Sequence, residues 1–181
     1  MLTDQQRRAL LDLARGSVLA RVTGVVAMSE PAIDLPRASG VFVTIKRSGE
    51  LRGCLGTLEC RLALGEEVAR CAADSATHDP RFSPVTADEL AELTFEVSVL
   101  GPLELLRPVA ASAIIIGVHG LVVEHGHRRG VLLPQVAAER AWNAEQFLHQ
   151  TCVKARLPHD AWQHGATVYV FAADVFGDGQ R

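Results

Sequence analysis

Cys54 stands between glycines in the run ELRGCLGT, Glu50 to Thr57. A thiol acts as a nucleophile only as thiolate, and a nearby cation lowers its pKa. Arg52 lies two residues before it, so a regular strand would place both side chains on one face. Gly53 and Gly56 would leave that face open to a ligand, at a cost in backbone entropy. Covalent catalysis or anion binding through Cys54 and Arg52 is one reading. The other is a small apolar residue in a tight sheet, with the glycines serving a bulge or a close packing contact.

His78, Asp79, Pro80, Arg81 and Phe82 form a second constellation. Asp79 precedes a proline and is steered out of the helical region, so a helix must end here. His78 is a candidate general base, or simply a cation at a helix end. Arg81 can grip a carboxylate or phosphate with two parallel bonds, or tie its own loop down through Asp79 and backbone carbonyls. Glu96 lies on the polar face of an alternating strand and is a candidate base if that face lines a groove.

A third group spans His119 to Gln135. His125 and His127 flank Gly126, but a metal centre needs three or four ligands, so none is expected. His119 is a candidate ligand contact. Arg129, beside Gly130, and Gln135, at the start of the next helix, would suit an anion. No dinucleotide fingerprint or P-loop is present, and no cofactor is expected.

These side chains need elements to hold them. Thr3 to about Ala20 reads as a helix, with a capping box from Thr3 and Gln6. Gly24 to Gly40 is a connector holding Pro31 and Pro36. Val41 to Lys46, a Gly-bearing turn and the ELRGCLGT run predict a β-hairpin. A helix from about Ala63 to Thr77 follows, with Leu64, Val68, Cys71 and Ala72 on one stripe. Thr86 and Glu89 cap a short helix. Leu93 to Leu100 alternates as a half-buried strand. Gly120 onward predicts a second hairpin, then one long helix from Gln135 to about Ala155. A final strand from Ala166 to Phe176 is apolar on both faces and so central.

The two hairpins echo each other. Each runs from glycine through a β segment and a polar turn to an Arg-Gly step, Arg52-Gly53 and Arg129-Gly130, and then to a helix. The pattern is compatible with internal duplication and with two unequal lobes, about 1–110 and 111–181. The fold class is therefore α+β, mostly antiparallel sheet with flanking helices.

Bulk properties narrow the classes. The chain has 181 residues, 48% hydrophobic and 22% charged, a globular balance. Its net charge of −3 argues against a nucleic-acid footprint over the whole surface. No apolar stretch suits a membrane span and no signal peptide is expected, so the chain reads as soluble and cytoplasmic. Cys54, Cys60, Cys71 and Cys152 lack metal-ligand spacing and read as free thiols.

The motifs LRGC-x-G, DPRF, FEVSVL, HGLVVE, RRG-x-LLPQV and FLHQTCVKARLP occur in that order. Together they resemble the AMMECR-type domain, from roughly Ala9 to Phe176, with Leu55 where an isoleucine is commoner. The resemblance implies an α+β fold of two unequal lobes, with no firmly established activity. It also implies genetic association with a Memo-type protein and a radical SAM enzyme. Two functions remain open. One is an enzyme, or enzyme component, acting on a small anionic metabolite or a modified residue through Cys54. The other is a non-catalytic ligand- or protein-binding adaptor.

Overall fold

The computed structural model describes residues 2–25 and 33–178 of the chain; Pro31 of the connector lies outside them. The chain divides into two compact units. The first comprises Met1–Leu100 together with Asp174–Arg181, and the second Gly101–Ala173. Both are built from helices and antiparallel strands, an α+β architecture.

In the first unit, helix α1 spans Asp4–Thr23, entered through the Thr3–Gln6 capping box and closed by Gly24 in the left-handed conformation. Strands β1 (Gly40–Arg47) and β2 (Glu50–Thr57) form a hairpin, turning at Ser48 and Gly49, both at positive φ. Helix α2 covers Leu64–Thr77. A 3-10 helix, Ala87–Glu92, carries the Thr86–Glu89 capping box and leads into β3, Leu93–Leu100. Strand β1 pairs antiparallel with β2 on one side and β3 on the other. One sheet face presents Val41, Val43, Ile45, Phe95, Val97 and Val99 to α1 and α2. There Leu10, Ala14, Val18, Val68, Cys71 and Ala72 complete a buried core. The period-two pattern of the strands and the 3.6-residue stripe of the helices meet at this layer.

The second unit repeats that topology. After the short strand β4 (Glu104–Leu105) come β5 (His119–His125) and β6 (Arg128–Leu132), again a hairpin. Helices α3 (Pro134–Glu139) and α4 (Ala144–Lys154) follow. Strand β7, Thr167–Gly177, pairs antiparallel with β5 and, on its other side, with β4. Thus β7 stands to β5 as β3 stands to β1. The core gathers Leu121, Val123, Phe147, Leu148, Cys152 and Val168.

One element differs from the sequence expectation. The single helix from Gln135 to Ala155 is two. Ala141 takes φ 52°, the Trp142 amide closes back on the Ala137 carbonyl at 2.9 Å, and Asn143 opens a new capping box with Gln146. A cap inside the apolar pattern overrides the pattern, because it offers the backbone an alternative set of bonds.

Candidate functional site

Register places Cys54 opposite Thr44, and Thr44 opposite Glu96, in one row across β2, β1 and β3. Directly opposed residues share a sheet face. This is the face turned away from α1 and α2. The Thr44 hydroxyl donates to Cys54 Sγ at 3.3 Å. Lys46, further along β1, pairs with Glu96 at 3.4 Å. The row therefore offers a thiol, a hydroxyl, a carboxylate and an ammonium group in sequence.

The backbone of Cys54 is held from the outer edge of β2. Asp79, only 3% exposed, accepts the Cys54 N–H at 2.8 Å, while Arg81 Nη2 donates to the Cys54 carbonyl at 3.2 Å. Asp79 and Arg81 bind each other through Nε at 2.9 Å and Nη2 at 2.6 Å. The DPRF loop is thus a clamp on the edge strand. A second device sits one residue further on. The Ser75 hydroxyl of α2 donates to the Val43 carbonyl and accepts from the Leu55 N–H, both at 2.8 Å, bridging β1 and β2.

Arg52 does not join Cys54 as regular alternation would have it. The register shifts between Ile45 and Lys46, with Ile45 opposite Gly53 and Lys46 opposite Leu51, so Arg52 is the extra residue of a β-bulge. Its guanidinium forms two parallel bonds to Glu89, at 2.8 and 2.9 Å, and reaches the Ser83 and Pro84 carbonyls. Arg47 adds a third contact to Glu89 at 3.2 Å.

Gly53 and Gly56 are explained by packing. A Cβ on Gly53 would fall on the Ser75 carbonyl of α2, and one on Gly56 would meet the Phe42 ring and the Val41 carbonyl. His78 caps α2 on the exposed side, its Nδ1 3.0 Å from Asp74 Oδ1. In the second unit, Arg129 is paired cross-strand with Glu124 at 2.8 Å. His119 accepts the Ile115 N–H at Nδ1, 3.1 Å away. Gln135 is in the first turn of α3.

The electrostatics follow the contacts. Burial pushes the Cys54 thiol above its ordinary value near 9.0; the Thr44 hydroxyl and the Arg81 charge oppose this without overcoming it, and Asp79 and Glu96 add to the rise. Cys60 and Cys71 are pushed up to about 11, again chiefly by burial. The Arg81 hydrogen bonds hold Asp79 down at about 2, and those of Arg52 hold Glu89 at about 2.

Sequence reasoning missed the parts played by Thr44, Ser75 and Glu89. Thr44 was legible as the polar position of an apolar strand. The partners of Ser75 and Glu89 are distant in sequence, at separations of 32 and 37 residues, and no local pattern carries them.

A cavity of about 570 Å³ lies elsewhere, lined by Leu35, Arg37, Cys60, Arg61 and Leu64 among others, and by no residue of the Cys54 row or of the DPRF clamp. It adjoins the start of α2, where Glu67 and Glu66 already accept the Arg61, Leu62 and Ala63 amides. Among the described residues, no cluster of three or more His, Cys, Asp or Glu could hold a metal ion, and no helix is long and apolar enough to cross a membrane.

An α+β chain with a clamped Arg-Gly-Cys edge strand and a DPRF loop is a defined class. The AMMECR1 family model matches residues 11–176, and the chain belongs to that family. A protein of Methanothermobacter thermautotrophicus is 42% identical over 184 residues, covering 97% of this chain and 95% of its own length. One from Thermofilum pendens is 41% identical over 194 residues, covering 97% and 91%. The crystal structure of uncharacterized protein PH0010 from Pyrococcus horikoshii superimposes with a TM-score of 0.90 at 38% identity, covering 98% of this chain and 94% of that one.

Proposed function

We propose that the protein is a non-catalytic binding module of the cytoplasm. In this reading the polar row of Cys54, Thr44, Glu96 and Lys46 recognises a ligand or partner without forming a bond to it. One observation carries the reading: the groups that would activate the thiol are committed elsewhere. Arg52 is spent on Glu89 and Arg81 on Asp79. The Cys54 amide, which could have served an oxyanion, is taken by Asp79. Burial keeps the thiol protonated at neutral pH, so it offers a weak S–H donor and a small apolar surface.

The test is site-resolved alkylation with iodoacetamide in the native protein. Cys54 is expected to label no faster than Cys60 near neutral pH, with its rate rising only above the ordinary thiol range. The Cys54→Ser variant is expected to keep partner capture. The Memo-type and radical SAM proteins that the family resemblance implies are the natural baits. Rapid labelling of Cys54 at neutral pH would overturn the proposal.

Covalent use of Cys54, on a small anionic metabolite or a modified residue, is the second reading. The Thr44 hydroxyl favours it, being a donor that would stabilise a thiolate. It predicts the opposite labelling result and loss of activity in Cys54→Ser.

A further inference from the structure

Strand β2 ends the strand order. It pairs with β1 on one side, and among the described residues no strand pairs with it on the other. Such an edge offers unpaired N–H and C=O groups to any extended chain that meets it. In an antiparallel ladder, the residues that point both groups outward alternate along the strand. Cys54 is one of them, because its N–H and its carbonyl are both met from outside by the DPRF loop. Gly56, two residues on and exposed, is the next.

The loop from Asp79 to Pro84 stands where a further strand would be. Its carboxylate and guanidinium meet Cys54 as a neighbouring peptide would, with one acceptor and one donor at 2.8 and 3.2 Å. Further along the edge, Arg52 at the bulge donates to the Ser83 and Pro84 carbonyls at 2.8 and 3.2 Å. The bulge itself interrupts the regular ladder that an incoming strand would need. Nor does the loop become a new edge. Pro80 and Pro84 have no N–H to give. The Arg81 and Phe82 N–H groups turn inward to Asp79, bonding its Oδ1 and its carbonyl at 3.1 Å each. A chain arriving from outside therefore meets an interrupted row of donors, not a ladder.

We propose that this loop is an edge guard, which keeps β2 from adding a strand from a second copy of the chain. A second copy is the occupant because one edge meeting its twin about a two-fold axis pairs antiparallel and needs no complementary surface elsewhere. Gly53 and Gly56 leave the register of such a pair loosely specified, and a strand of that kind is prone to alternate pairing once uncovered. The Asp79 and Arg81 side chains thus control assembly as well as stability. The proposal does not depend on whether Cys54 binds or catalyses.

Light scattering on size-exclusion fractions tests it. The double variant Asp79→Ser with Arg81→Ala is expected to form a species of twice the wild-type mass, in a share that grows with protein concentration. Arg81→Ala alone keeps the Asp79 bond to the Cys54 N–H. It should form the same species more weakly, and it carries the test if the double variant does not fold. In the heavier species the Gly56 amide should exchange about tenfold more slowly, or slower still, than in the same variant when dilute, while β5 amides keep their rates. Gly130→Ala, in the second unit, is the control for lost stability. Compared equally far below its own urea midpoint, it should keep the wild-type mass. Wild-type mass in the guard variants, a heavier species with no added protection at Gly56, or equal association by Gly130→Ala would each overturn the proposal.

Discussion

At the residue scale, Asp79 and Glu89 take the place that a ligand's carboxylate would occupy on Arg81 and Arg52. Each carboxylate is buried, each accepts a backbone amide, and each holds a guanidinium: Asp79 holds Arg81, and Glu89 holds Arg52. Folding lowers both from ordinary values of 3.8 and 4.5 to about 2. The unfolded chain therefore takes up these protons at higher pH than the folded one. Their stabilisation is present above about pH 4.5 and is lost as pH falls toward 2, roughly 2 kcal/mol for Asp79 and roughly 3 kcal/mol for Glu89. Asp79→Asn is expected to cost roughly 2 kcal/mol at neutral pH. It should also flatten the acid limb of a urea-midpoint profile. An acid limb as steep as the wild type's would show that Asp79 is not the group titrating there. The motif residues were legible by type, since cysteine, arginine and aspartate at such spacing invite chemistry. The Asp79 partner of Arg81, two residues away, was read as well, but the Glu89 partner of Arg52 was not, because a bulge at Arg52 and a contact across 37 residues leave no trace in a local pattern.

At the element scale, the two Arg-Gly steps share one cause. In each unit a helix backbone presses on the second strand of a hairpin, α2 on Gly53 and α4 on Gly130. The echo between the hairpins is thus matched by a repeated topology, a hairpin whose first strand also pairs with a later strand. Strand periods, capping boxes and the helix stripe were readable because they are local. The break between α3 and α4 was masked by continuous amphipathicity, with only Asn143 and Gln146 signalling it. Gly53→Ala and Gly130→Ala are expected to destabilise by about 3 kcal/mol or more, because the atoms in the way are backbone and cannot swing aside. Gly126→Ala is the control. It has φ 61° and no atom within 4 Å of the new methyl, so only the left-handed backbone penalty of roughly 1 kcal/mol applies. Equal urea midpoints for the three variants would refute the helix-on-strand account.

At the scale of the whole molecule, the chain's final segment is what completes the first unit. Asp178 takes the Arg15 guanidinium on both oxygens, at 2.8 and 2.7 Å, and accepts the Phe95 N–H at 2.8 Å. Its own N–H returns a bond to the Phe95 carbonyl at 3.0 Å. Asp174 accepts the Leu2 N–H at 2.8 Å and pairs with Arg7 at 2.9 Å. Residues far apart in sequence therefore fasten α1, β3 and the end of β7 within one unit. Asp178→Ala removes an ion pair that is partly exposed and worth little by itself. It also strands the Phe95 amide, which costs about 1–3 kcal/mol. Because all these partners belong to the first unit, hydrogen exchange should quicken at α1 and β3 amides. Those of β5 and α4, each in the second unit's own core, should keep their protection. A uniform loss of protection across both sets would mean that the two units open as one cooperative block.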